Sequence, residues 1–329
     1  MNEYLLSVIL GIVEGLTEFL PVSSTAHLRL TEAALRIDLG SGYWKMYSIV
    51  IQLGAILCLP IYFRERIMSL VSSFPRGERG DRTFLTHPLT LVVIAFVVTA
   101  IPAWRLTKII GKNLESLYVM GTALLIGGVV MWIVDAIFGW RGGAEREPEL
   151  QTVGAPSQAE SGSKGPVLSY DSPRRSPVVW HRTEHMEEMN VLQAVWIGAA
   201  QILSAVFPGT SRSMSTIAAG QIAGMSRTAA LEFSFFLSIP TMIVATCYDF
   251  LKTVALKKAT PGETLPPIEM TTQRWIVLAI GFVVSFFVAW AVVAWFMAWV
   301  RRRGFVPFAI YRIVLGAAVL AWAAHRVGR

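Results

Sequence analysis

Two glutamates, a run of hydroxyl residues, one histidine and one arginine carry the chemistry that this sequence could do. Glu14 and Glu18 stand four residues apart in the apolar stretch Tyr4–Leu20, so on a helix both carboxylates leave one face. Ionisable groups at membrane depth are costly and mark function, and paired carboxylates can hold a divalent cation or divide acid and base roles. Pro21 then breaks the stretch, and Ser23, Ser24, Thr25 and His27 follow. Hydroxyl residues after a helix-breaking proline cap the next helix, and a helix N-terminus attracts anions. His27 adds a group that titrates near neutral pH, as nucleophile or general acid/base. A second tip reads Pro208-Gly209-Thr210-Ser211-Arg212-Ser213, with Thr216 beyond it. Gly209 frees the backbone to approach a ligand, the hydroxyls are donors, and Arg212 is a permanent planar charge suited to bidentate phosphate binding. The bland alternatives are glutamates lying in headgroup water and an ordinary N-cap run with an incidental histidine. Taken together, the groups suit phosphoryl chemistry on a substrate whose tail stays in lipid.

The elements that must position these groups are set by composition. Of 329 residues, 54% are hydrophobic and 16% charged, against about 25% charged in a soluble domain. Disorder is excluded by that hydrophobicity. A disulfide scaffold is excluded by the presence of 2 cysteines, Cys58 and Cys247, each inside an apolar run and read as a small buried hydrophobe. The net charge of +7 (29 basic less 22 acidic residues) is assigned to loops and helix ends meeting lipid headgroups, not to nucleic-acid binding. The chain reads as an all-α polytopic membrane protein. Six stretches reach the length of a span of about 20 residues: Trp44–Phe63, Pro88–Trp104, Leu117–Phe138, Ala229–Phe250, Trp275–Val300 and Phe305–Ala324. Two more, Tyr4–Leu30 and Val191–Ile222, are broken by the two proline tips. Tyr4–Leu20 has no small-residue cleavage site and is expected to stay in the mature protein.

The order is broken stretch, three spans, polar insert, broken stretch, three spans. Glu14-x-x-x-Glu18-Phe19-Leu20-Pro21-x-Ser23-Ser24 also aligns with Gln201-x-x-x-Ala205-Val206-Phe207-Pro208-x-Thr210-Ser211. The expectation is a duplication: residues 1–140, with a re-entrant hairpin over 4–30; a polar insert over 141–190; and residues 191–329, with a hairpin over 191–222. Three crossings per half would invert the second copy and bring the two polar tips together near the midplane, where discontinuous helices of membrane proteins build sites. Arg141–Met189 reads as a long polar loop, in which His181 and His185 have helical metal-ligand spacing without a third ligand. The basic residues slightly favour the face reached by the connection Arg64–His87, the insert and Arg301-Arg302-Arg303 as the inner one, which puts both termini outside.

The two tips resemble the hallmark motifs of the undecaprenyl pyrophosphate phosphatase family. The first is Glu14-Gly15-Leu16-Thr17-Glu18-Phe19-Leu20-Pro21-Val22-Ser23-Ser24-Thr25-Ala26-His27 and the second Pro208-Gly209-Thr210-Ser211-Arg212-Ser213. Weaker matches are Ile51–Ile56, Glu232–Pro240 and Tyr311–Gly316. The sequence departs from the family in Met214-Ser215, where Gly-Ala is usual, and in the longer insert. The resemblance implies a bacterial inner-membrane enzyme, linked to bacitracin resistance, that converts undecaprenyl diphosphate to the undecaprenyl phosphate carrier of peptidoglycan synthesis. It further implies a divalent cation (Mg²⁺ or Ca²⁺), a site facing the periplasm, and catalytic residues Glu14, Glu18, Ser24, His27, Ser211, Arg212 and Thr216. Glu14 and Glu18 are expected to hold the metal, and Ser23, Thr25, Gly209, Thr210 and Ser213 to bind substrate. Ser24 and His27 both stay open as the nucleophile. The expected partners are the lipid substrate and membrane lipids, with a homodimer left open and nucleic acid excluded. The rival readings are a transporter or flippase of lipid-linked phosphates, and a lipid phosphatase using two histidines and an aspartate; the second is disfavoured because only His27 lies in a tip.

Overall fold

The computed structural model describes residues 2–37, 42–78, 80–106, 116–139, 182–254 and 270–327. The chain is helical, and the one strand-like feature among the described residues is an isolated bridge between Thr183 and Met225. In chain order the first half holds α1 (Glu3–Thr17), α2 (Ser24–Ala34), α3 (Gly42–Tyr62), α4 (Arg64–Ser72), α5 (Pro88–Arg105) and α6 (Leu117–Phe138). The second half holds α7 (Val191–Val206), α8 (Arg212–Ile222), α9 (Arg227–Val254), α10 (Thr272–Arg303) and α11 (Val306–Val327).

Six of these helices, α3, α5, α6, α9, α10 and α11, are long and apolar enough to cross a membrane. They are the six anticipated stretches, with ends moved by a few residues. The longest is α10, whose 32 residues extend about 48 Å at 1.5 Å per residue. That exceeds a hydrocarbon core of about 30 Å and carries Arg301, Arg302 and Arg303 beyond it. The outer faces are apolar: Val93, Val97 and Ile101 of α5 and Val129, Ile133 and Ile137 of α6 are all exposed, as befits helices solvated by lipid. The chain is a multi-span membrane protein.

The two broken stretches form helix–break–helix units. In the first, α1 packs on α2; in the second, α7 packs on α8. At 11 residues each, α2 and α8 extend about 17 Å, short of a span. Local sequence sets the ends. Asn2 caps α1, and Asn190 caps α7 in a reciprocal capping box with Gln193. The units are then carried by the long helices: α1 lies along α10, α7 along α5, and α6 along α11. Small residues permit the approach, since a Cβ on Gly15 would come 2.7 Å from the Ser285 carbonyl and one on Gly198 2.5 Å from that of Ala95. The core between the halves is aromatic and aliphatic, with Phe19, Leu59, Phe233, Phe235, Phe296 and Phe305 fully buried.

Three features differ from the sequence reading. Arg64–His87 was expected as a connection, yet Arg64–Ser72 is helical, with Leu70 buried and Arg66 bonded to Glu187 and to Glu232 (3.1 Å to the latter). Nine half-polar residues give too little periodicity to announce a helix. The polar insert is ordered at its end. Thr183 bonds to Gly224 and Ser226, and Met186 and Met189 are buried, while the rest of the insert, His181 of the histidine pair included, lies outside the described residues. Cys58 is buried as expected, but Cys247 is on the outer face, where lipid replaces protein as the apolar surroundings.

Candidate active site

The two breaks are built alike. After α1 the chain turns through Pro21 to Ser23, whose φ is +75°, and Ser23 caps α2 by accepting from the Ala26 amide. After α7 it turns through Pro208 and Gly209 (φ +95°) to Ser211, whose φ is +69° and which caps α8 by accepting from the Met214 amide. Two non-glycine residues held at positive φ carry local strain of the kind found at binding sites. The caps Ser23 and Ser211 are thus structural counterparts. Alignment on the prolines pairs Ser24 with Ser211 instead, one residue out of step, because the second break carries one more residue between its proline and its cap.

Each cap leaves the next residue, Ser24 or Arg212, at the first position of its helix, and both reach the same carboxylate. Ser24 Oγ donates to Glu18 Oε2 at 2.6 Å, and Arg212 Nη2 donates to Glu18 Oε1 at 2.8 Å. Glu18 itself closes α1, its amide bonded to the Glu14 carbonyl, so the two carboxylates are one turn apart. All of this is buried: Glu14 is 1% and Glu18 5% exposed. Two polar atoms in this enclosure, Glu14 Oε1 and Arg212 Nη1, have no partner among the described residues. An acceptor and a charged donor left unspent beside an ion pair are the complement of a cation and an anion brought in together. The free amides of the first turns of α2 and α8, at the same two breaks, add positive potential.

The other anticipated residues lie on the two breaks and at the starts of α2 and α8. His27 Nδ1 is 2.7 Å from the Ser23 carbonyl and Nε2 2.7 Å from Tyr311 Oη. Ser213 Oγ donates across the breaks to the Leu20 carbonyl at 3.0 Å, and Ser211 Oγ is 3.1 Å from Ser213 Oγ. Thr25 is half-buried on the first turn of α2. Gly209 and Thr210 contribute carbonyls, and a Cβ on Gly209 would come 2.7 Å from the Met120 carbonyl. Thr216 bonds to the Arg212 carbonyl (3.0 Å) and to Ser234 Oγ (2.6 Å), which supports the first turn of α8. The structure therefore brings Glu14, Glu18, Ser24 and Arg212 together, with Ser211 and Ser213 lining the seam and His27 at its edge.

One residue of the weaker match Tyr311–Gly316 was given no role by the sequence reading. Arg312 of α11 is fully buried. It donates to the Pro21 carbonyl of the first break (3.1 Å) and to the Gly209 (2.9 Å), Thr210 (3.0 Å) and Ala123 (3.1 Å) carbonyls. A single guanidinium so ties both breaks. The signal was present: an arginine inside the span Phe305–Ala324 carries the same membrane cost that singled out Arg212.

Among the described residues no three His, Cys, Asp or Glu side chains cluster as a metal site. Glu14 and Glu18 nonetheless suit a hard cation that takes its remaining oxygens from a phosphorylated substrate, and the unpartnered Glu14 Oε1 is the free ligand atom such a cation needs.

Comparison with known proteins accords with this arrangement. Residues 7–318 match the family model described as bacitracin resistance protein BacA. The chain is 61% identical over 326 residues to the undecaprenyl-diphosphatase of Koribacter versatilis, covering 99% of this chain and 100% of the relative. It is 33% identical to that of Caldanaerobacter subterraneus subsp. tengcongensis (97% of this chain, 96% of the relative) and 36% identical to that of a Bradyrhizobium sp. (96% of each). These relatives bear the name of an enzyme, so the transport reading gains no support from them. By a family match across nearly its whole length, the chain belongs to the bacitracin resistance protein BacA family.

Proposed function

We propose that the chain is an undecaprenyl-diphosphate phosphatase, releasing inorganic phosphate and undecaprenyl phosphate in a bacterial inner membrane. The observation that carries this reading is the convergence of Ser24 and Arg212, from separate halves, on the two oxygens of Glu18. The headgroup enters between the breaks, and the unspent Nη1 of Arg212 with the α2 and α8 amides takes the charge that develops on the transferring phosphoryl group. Ser24 Oγ, already donating to Glu18, gives that proton up as it attacks the terminal phosphorus, and undecaprenyl phosphate leaves. Glu14 and Glu18 would hold a divalent cation through lone pairs the hydrogen bonds do not use. Such a cation, when bound, withdraws charge from the diphosphate oxygens. Water then hydrolyses the phosphoserine.

The 2.6 Å contact between Ser24 and a carboxylate favours Ser24 over His27 as nucleophile. Trapping the phosphoenzyme separates the two, since phosphoserine survives acid and phosphohistidine does not. The primary test is phosphate release from a polyprenyl diphosphate by purified protein, with and without EDTA. No release, or release untouched by EDTA, refutes the reading or its metal.

The reading extends to architecture and orientation. The α1–α2 and α7–α8 units are taken as re-entrant hairpins of an inverted repeat, supported by the reciprocal packing of α1 on α10 and α7 on α5. Arg301, Arg302 and Arg303 mark the cytoplasmic end of α10 by the positive-inside rule, and the site is assigned to the periplasmic side. Labelling of single cysteines with a membrane-impermeant reagent tests this: a cysteine near Arg302 that reacts from outside overturns it.

A further inference from the structure

Tyr311 and His27 form a pair to which the mechanism above gives no role. His27 Nδ1 lies 2.7 Å from the Ser23 carbonyl oxygen. A carbonyl only accepts, so Nδ1 carries the hydrogen, and in the neutral ring Nε2 is left as the lone-pair nitrogen. That nitrogen is 2.7 Å from Tyr311 Oη, so the tyrosine hydroxyl is the donor. The two rings lie nearly parallel, with centroids 5.6 Å apart and planes at 13°. Both partners are anchored. Ser23 is the strained cap of α2, and Tyr311 is followed by Arg312, which locks α11 to both breaks. Tyr311 itself is 46% exposed, while Glu14 and Glu18 are buried, so the pair sits on the outer edge of the site.

We propose that Tyr311 is the gate of His27: its hydroxyl caps the one imidazole nitrogen able to act on a headgroup, and the diphosphate reaches His27 only by displacing it. The inference rests on the proposed phosphatase reading and adds to it a role for His27 beside the headgroup. Once uncovered, Nε2 is the lone-pair nitrogen that accepts a proton from the water attacking the phosphoserine; the water oxygen goes to phosphorus, the Ser24 Oγ–P bond breaks, and Oγ takes back the proton it gave to Glu18. Tyr311 is then a positioning residue. The Ser23 carbonyl fixes the tautomer through Nδ1, and Tyr311 holds the base out of reaction until the site fills.

The test is Tyr311→Phe in the full-length protein in lipid nanodiscs; it keeps the stacked ring and removes only the hydroxyl. Two readouts are compared with the parent. One is the rate at which diethyl pyrocarbonate modifies His27, resolved from the other four of the chain's 5 histidines by peptide mass mapping. The other is the separation of KM from kcat for a polyprenyl diphosphate. The expected result is a modification rate raised about fivefold and a KM lowered by a similar factor, the worth of one neutral hydrogen bond, with kcat held. Unchanged reactivity and KM overturn the gate, as does a raised KM, which would make the hydroxyl a substrate contact. His27→Gln tells this failure from that of the underlying reading. Full turnover in that variant removes His27 from the chemistry and the gate with it. A dead His27→Gln beside an unaltered Tyr311→Phe leaves the phosphatase reading standing and overturns only the gate.

Discussion

Replacing Arg312 should disable the protein although no substrate atom need touch it. Its guanidinium faces four carbonyls, from Pro21, Ala123, Gly209 and Thr210. Three of them surround Nη2, which has two hydrogens, so three bonds are the most that form well at once: one from Nη1 and two from Nη2. Hydrogen bonds from a charged donor contribute about 1.5–3 kcal/mol each, which makes the knot worth roughly 5–9 kcal/mol, comparable with the stability of a typical domain. Lysine keeps the charge but donates from a single point, so in Arg312→Lys it cannot span the two breaks and loses one or two bonds, about 1.5–6 kcal/mol. Arg312→Met keeps the stem and leaves buried carbonyls unpaired, which costs more. The expected outcome for Arg312→Lys is a melting midpoint lowered by at least about 5 °C. Turnover should also fall by at least about tenfold, because the breaks hold Ser24 and Arg212 on Glu18 within the tolerance that catalysis allows. Thermal melts monitored by intrinsic fluorescence, with phosphate release on the folded fraction, measure both. An Arg312→Met protein that melts within about 2 °C of the parent and turns over within twofold would refute the reasoning.

Three further outcomes follow from the same geometry. Glu18→Gln leaves the buried Arg212 charge without its carboxylate and should cost about 3–5 kcal/mol of stability together with at least about 100-fold in phosphate release; activity within tenfold of the parent refutes its central place. Gly127→Ala puts a methyl against the Arg312 guanidinium and 2.9 Å from Met214 Cε, so it should destabilise by about 1–3 kcal/mol and depress kcat, as read by the same melts and turnover assay. Asp135 accepts from Arg227 (2.8 Å), Gln221 (3.0 Å) and the Phe305 amide (3.0 Å), roughly 12 Å along α6 from Gly127. Asp135→Asn should therefore lower the melting midpoint while the folded protein keeps its kcat, and a matching loss of kcat would show the node to be coupled to the site.

Much of this arrangement is legible in the sequence because membrane cost makes charges conspicuous. Glu14, Glu18 and Arg212 stood out against apolar neighbours, and the structure joins Glu18 to Arg212. The six long helices were readable from length alone. Contacts that depend on the backbone of a distant segment were not. Nothing in the text of the second break says that its Gly209 and Thr210 carbonyls need a donor, nor that the donor is Arg312 on the last helix. Cap register was likewise hidden. Two prolines invite alignment, but the residue that takes the positive φ is decided by how many residues the turn needs, and Ser23 proves the counterpart of Ser211. The helix Arg64–Ser72 was missed because what holds it is tertiary, Arg66 meeting Glu187 and Glu232.

The Arg312 knot also bears on how the protein is made. The carbonyl of Pro21 is synthesised 291 residues before its donor, which lies in α11. Until that helix enters the membrane, the two breaks hold bare peptide groups in or near hydrocarbon, a state that costs several kcal/mol for each unsatisfied group. A nascent chain whose α11 is not yet inserted therefore carries that cost in its own backbone. Completion of the knot waits on the insertion of α11.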